Sequence, residues 1–192
     1  MSFKRIGRVG FLLVTANSLS GIIWGANSVI LSIYMLNIGI STTLIGIVLG
    51  LFSLINALGS LVVGYLTDFI NRVRLFMVLS VISGSLILLM ITGVPIIVST
   101  AYLLAALFNR YVVLTAIIGE FAKQRNVSDE VFSLSSSFNI VFSVIGSIMA
   151  VLPSYLGHLG YELIFVTEAI AVYLTIPLVL NAIRHLDPVI VN

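Results

Sequence analysis

Two ionisable side chains stand where this chain has least room for them: Arg110 interrupts "LLAALFNRYVVLTAIIG" and Glu168 interrupts "LIFVTEAIAVYLTIPL". A charge within an apolar run is costly unless it faces a protein interior, a watery path or a partner group. Arg110 is therefore a candidate for holding an anionic group, and Glu168 a candidate proton carrier. Each has a plainer reading: Arg110 snorkelling towards the nearer membrane face, and Glu168 a hydrogen-bonded acid near the opposite boundary. At 1.5 Å per helical residue, Arg110 lies about 21 Å past Ile96 and Glu168 about 10 Å past Tyr161. The offset of roughly 10 Å between them exceeds comfortable side-chain reach without helix tilt, so the two are separate candidates.

A third cluster lies in "GYLTDFINRVR", residues 64–74, where one acid and two bases share eleven positions of a chain that is only 8% charged. Other chemistries find no constellation. The two histidines, His158 and His185, fall at the ends of apolar runs on opposite sides, which argues against a Ser/His intramembrane protease. No metal-ligand spacing or phosphate-binding glycine loop is present, so no enzyme activity, cofactor or metal is expected. Without cysteine there are neither disulfides nor thiolate sites.

The elements that must position these residues are membrane-spanning helices. Of 192 residues 60% are hydrophobic, and the mean hydropathy is +1.23, well above a soluble domain. Apolar runs long enough to cross a bilayer predict helices at about 10–37, 43–66, 75–93, 96–119, 134–157 and 161–183, a single six-helix domain over residues 1–192. The first run follows Lys4, Arg5 and Arg8 but is far longer than a signal-peptide core, and is read as a retained helix.

Charge sets the orientation. With the N-terminus inside, the inner segments carry Lys4, Arg5, Arg8, Arg72, Arg74, Lys123, Arg125 and Arg184, and the outer connections carry no Lys or Arg. By the positive-inside rule both termini are expected to be cytoplasmic. The net charge of +2 is too small and scattered for a nucleic-acid partner. Arg72 and Arg74 follow from this rule alone. Gly64 and Asp68 do not, because an acid at the C-terminal end of a helix opposes the helix dipole.

The 64–74 loop resembles the signature between helices 2 and 3 of the major facilitator superfamily. Gly64, Leu66, Asp68, Arg72 and Arg74 match that pattern. Phe69 departs at its first basic position, Val73 within its basic run and Asn71 at its second glycine, where asparagine can hold the left-handed backbone. "LNIGISTTLIGIVLGLFSLINALGSLVVGYLTD" is similar to the family's second helix and the turn before it. "GEFAKQRNVSDEVFSLSSSFNIVFSVIGS" and "LGHLGYELIF" resemble its helix 4–5 loop with the fifth helix, and the start of its sixth. Arg110 resembles the arginine of the family's helix 4 motif, although Leu114 replaces the expected glycine. "GSIMAVLP" lacks the antiporter motif of helix 5, which makes that subtype a poorer fit.

The resemblance covers nearly the whole chain but only half of a twelve-helix transporter. It implies an all-α membrane fold made of two inverted three-helix repeats, and alternating-access transport of a small solute in the plasma membrane. It also implies that Gly64, Asp68, Arg72 and Arg74 form a gating latch to a second six-helix bundle, from another copy or a separate chain. A local bond from Asp68 to Arg72 or to the helix 4–5 loop is the alternative for the latch. For the function, the alternative is a non-transporting membrane interaction protein or an inactive half.

Two further faces stand out. Gly46, Gly50, Ser53, Ala57, Ser60 and Gly64 recur every three or four residues along the second helix, a small-residue face suited to close packing within the bundle or, failing that, to a sliding or dimer seam. Asn17, Ser20, Gly21, Trp24, Asn27 and Ser28 form a polar arc on the first helix. Such an arc should face protein or a watery cavity. Interhelical hydrogen bonding accounts for it equally well, but the resemblance makes it cavity lining, with Asn17, Trp24, Asn27 and Arg110 as substrate contacts. Pro153 and Pro177 mark positions where helices can bend.

Overall fold

The computed structural model describes residues 3–184. His185 and the side chains of Lys4 and Arg5 lie outside the described residues. Six helices are long and apolar enough to cross a membrane: span 1 (Ile6–Asn37), span 2 (Thr42–Leu66), span 3 (Arg72–Thr92), span 4 (Pro95–Arg125), span 5 (Ser128–Leu156) and span 6 (His158–Ile183). Spans 4 and 5 reach about six residues beyond their apolar runs at the 125/128 turn. Hydropathy marks the apolar slab, whereas backbone hydrogen bonding carries a helix on into its polar end.

The turns follow local chemistry. Ser41 caps span 2 by accepting from Leu44 N. Gly93, with φ 65°, closes the short 3-10 turn ending span 3, and Pro95 opens span 4. Asn126 ends span 4 in the left-handed region at φ 53°. Asn71 takes no such conformation: its φ is −51°, and its Oδ1 accepts from Val73 N and Arg74 N, both at 3.1 Å. It is the N-cap of span 3. This corrects the reading of Asn71 as a left-handed glycine substitute, because a side-chain acceptor satisfies the amides that the glycine pattern leaves free.

Packing follows an exchange rule. Span 1 packs on spans 2, 4, 5 and 6, span 4 on spans 1, 2, 3 and 5, and span 3 on span 6. Swapping 1 with 4, 2 with 5 and 3 with 6 turns each of these pairs into another of the same set. The contact of the short Leu152–Leu156 turn with span 6 is the exception. Because each repeat holds an odd number of spans, the two halves run in opposite directions, as the two inverted repeats require.

The interior has two apolar clusters stacked along the bundle. One gathers Leu13, Phe76, Leu114, Phe121 and Val179 towards the basic end. The other gathers Ile30, Tyr34, Ile87, Val98 and Phe165 towards the opposite end. Spans 1 and 4 both break near their midpoints, at Leu19 and at Phe108–Asn109. These breaks fall at exchange-related places, and the polar side chains discussed below collect around them.

Candidate functional site

Span 4 restarts at Arg110 after Phe108 leaves helical geometry at φ −89°, ψ 52°. Asn109 makes the restart possible. Its Oδ1 accepts from Tyr111 N at 3.2 Å, while its Nδ2 donates to Asn56 Oδ1 and Ser60 Oγ of span 2, both at 2.9 Å. Ser83 of span 3 donates to the Phe108 carbonyl at 3.2 Å. A break in apolar surroundings persists only when such partners satisfy its backbone.

The break delivers Arg110 into the interior, where it is 2% exposed. Nη1 donates to Thr175 Oγ1 of span 6 at 2.8 Å and Nη2 to Tyr111 Oη at 3.0 Å. The guanidinium carbon lies 4.6 Å from the centre of the Tyr111 ring, a cation–π distance. Snorkelling is therefore excluded: the side chain is held at the waist of the bundle by neutral oxygens and an aromatic face. No carboxylate forms an ion pair with Arg110 among the described residues.

Glu168 is fully buried on span 6, on the same side of the helix as Thr175. Asn27 Nδ2 donates to its Oε2 at 3.1 Å. Seven residues separate Glu168 from Thr175, about 10 Å of helix, so Arg110 and Glu168 are distinct sites, as the sequence spacing implies. The Glu168 neighbours Phe165, Ala169 and Val172 belong to the cluster at the end opposite the basic one.

The polar arc of span 1 divides. Asn17 Nδ2 donates to Ser135 Oγ at 2.7 Å, and Ser20 Oγ accepts from Asn139 Nδ2 at 2.9 Å. Ser28 donates to the Gly25 carbonyl of its own helix. Trp24 is 69% exposed and borders an open groove of about 540 Å³ together with Asn139, Ser143 and Ser147 of span 5. The arc is thus mostly a hydrogen-bonded seam with span 5. Of the substrate contacts assigned on span 1, Asn17 and Asn27 are engaged with protein partners, and Trp24 alone faces open space.

Small residues bring spans 1 and 5 together. A Cβ on Gly21 would lie 2.3 Å from the Asn139 carbonyl oxygen, one on Gly25 2.0 Å from that of Ser143, and one on Gly146 2.1 Å from that of Ile22. A sequence signal for this exists: Gly21 and Gly25 form a G-x-x-x-G pair. On span 2 the expected close packing within the bundle does not occur. Gly46 and Gly50 would meet nothing within 4 Å, and Ser53 is exposed. The face is bare from Gly46 to Ala57. Ser60 does pack, through Asn109, and the close approach is made by Gly59, outside the predicted face, against Leu107 O at 2.5 Å.

At the basic end, Arg72 lies 3.9 Å from Glu120 of span 4 and also donates to Thr67 O at 3.5 Å. Asp68 is exposed and forms no ion pair among the described residues. The local Asp68–Arg72 bond is thus replaced by a bond from Arg72 to span 4. A Cβ added at Gly64 would lie 3.8 Å from Val112, an ordinary contact, and Arg74 is exposed.

Six apolar helices in two exchange-related triplets, with an arginine, an acid and several amides held at mid-depth, define a polytopic helical membrane protein. The family model of the Major Facilitator Superfamily matches residues 13–189, and the chain belongs to that superfamily, whose members are membrane transporters. Comparison with curated proteins and with solved structures finds no match.

Proposed function

We propose that this chain forms one wall of a secondary transporter, which moves a small solute by alternating access against a second six-helix bundle supplied by another copy or by a separate chain. One observation carries the reading. Over an 18-residue stretch of each span, 17% is buried in spans 2 and 5, against 44%, 50%, 39% and 44% in spans 1, 3, 4 and 6. The bare parts of these two spans include Gly46, Gly50, Ser53, Ser133 and Ser137, types that suit contact with protein better than lipid.

Arg110 supports an anionic group on the solute: among the described residues it is a buried cation held by neutral partners alone, so a ligand anion would supply the missing counter-charge. Trp24 and the groove beside it offer an apolar and amide-lined contact on the same wall. Asp68, exposed at the basic end and without an ion pair among the described residues, fits a latch completed by the second bundle. The distribution of basic residues favours cytoplasmic termini in a plasma-membrane protein.

Counterflow in liposomes tests the reading. Solute-specific exchange across a panel containing organic anions is the expected result. No exchange for any solute, with the chain alone or with its co-purifying partner, would favour a membrane interaction protein or an inactive half.

A further inference from the structure

Among the described residues, two buried oxygens in the half of the bundle away from the basic end have no hydrogen-bond partner: Asn27 Oδ1 and Glu168 Oε1. They belong to the two side chains already joined by Asn27 Nδ2 donating to Glu168 Oε2. The mismatch is one of hydrogen count. A carboxylate brings only acceptors, and the carboxamide carries both of its hydrogens on one nitrogen. Flipping the amide exchanges which oxygens are served without adding a hydrogen. A buried acceptor without a donor is costly, and two on one contacting pair call for a shared cation.

We infer that Asn27 and Glu168 form a proton-binding clasp between spans 1 and 6, in which a proton on Glu168 Oε1 donates to Asn27 Oδ1 while Asn27 Nδ2 donates to Glu168 Oε2. The proton completes a planar two-bond pair. Its loss leaves a carboxylate facing an amide oxygen at full burial, so the pair parts or admits water. A sodium ion would satisfy the same two oxygens but needs several more oxygen ligands than are free here.

The surroundings leave the proton to this pair. Span 4 presents Tyr102, whose ring stacks on Phe52 at 4.2 Å. Two turns inward lies Arg110, bonded to Thr175. Two turns outward on span 1 lies Tyr34, packed on Phe165 at 4.9 Å. Span 3 carries no ionisable side chain between Arg74 and Thr92, and span 5 none between Glu130 and Tyr155. On span 6 itself, Tyr161 bonds to Asn37 and Glu162 to His158, both at the outer end.

The clasp rests on the Asn27–Glu168 bond and on the two oxygens left without donors. That its opening is coupled to solute movement rests on the transporter reading above. The test is infrared spectroscopy of the full chain in lipid nanodiscs, following the C=O stretch of protonated carboxylic acid across a pH series. The expected result is a band of one acid per chain that disappears as pH rises, is missing at every pH in Glu168→Gln, and shifts in frequency in Asn27→Leu. Glutamine can make both bonds of the closed clasp, so Glu168→Gln should fold.

Identical bands in wild type and Glu168→Gln would overturn the proposal. So would a Glu168 band that persists at every pH, the mark of a permanently neutral structural acid. Loss of the band at constant pH when sodium replaces potassium would assign the site to a metal cation instead. A titrating band in a chain that exchanges no solute would sink the transport reading and leave the clasp standing. In an exchanging preparation, Glu168→Gln should lose the pH dependence of exchange.

Discussion

At the scale of single residues, burial separates side chains that the sequence treats alike. Arg110 and Arg74 are both arginines in the first turn of a helical segment, yet one is 2% exposed and the other lies open. Replacing Arg110 with Gln should raise the half-saturation concentration of an anionic solute at least about tenfold, the equivalent of roughly 1.4 kcal/mol, and a neutral analogue should show no such change. Counterflow with matched charged and neutral solutes measures it, and equal effects on both would remove the anion role. Asp68→Asn should leave the stability of the bundle within about 0.5 kcal/mol, because an exposed acid without an ion pair loses little contact. The exchange rate of the assembled transporter should nevertheless change; an unaltered rate would count against a latch.

At the scale of elements, glycines divide into those that bring helices together and those that leave a face bare. Gly25 permits backbone contact between spans 1 and 5, where a Cβ would meet the Ser143 carbonyl. Gly25→Leu should destabilise the chain by more than the roughly 1–3 kcal/mol usual for overpacking, since backbone rather than a side chain must move. Gly50→Leu meets open space and should leave the isolated chain as stable as wild type while weakening its association with a second bundle. Unfolding in mixed micelles and cross-linking in membranes read the two effects. Equal destabilisation by both substitutions would contradict this division. In the seam itself, Asn17→Ala should cost about 0.6 kcal/mol, the average for one hydrogen bond between helices in a membrane protein, and no more than about 1.7 kcal/mol.

At the scale of the molecule, the exchange rule accounts for which faces stay bare. Spans 1 and 4 occupy the centre, each packing on four others; spans 3 and 6 pair with each other, and spans 2 and 5 each leave a broad flank open. The two open flanks are related by the exchange. Native mass spectrometry of the particle released from membranes should give twice 20.7 kDa, or that mass plus one other protein. A lone chain would argue against a two-walled pathway in that preparation.

The six spans, their alternation and the basic end were legible in the sequence because each depends on a local sum: about twenty apolar residues satisfy the bilayer, and charge collects where the chain leaves it. Arg110 and Glu168 could be singled out for the same reason, being costly within such a run. Their partners could not. Thr175 for Arg110, Asn27 for Glu168 and Glu120 for Arg72 come from other helices, and which faces meet depends on how six helices share one interior. Asn71 as a cap and the bare glycine face of span 2 escape a sequence reading because a pattern within one helix states which side is small, not what lies beside it. The amino-acid sequence alone determined a six-helix membrane bundle with charges placed at depth. Only the tertiary structure decided which of those charges are joined, which glycines bear backbone contacts and which oxygens are left without a donor, because these depend on distances between segments far apart in the chain.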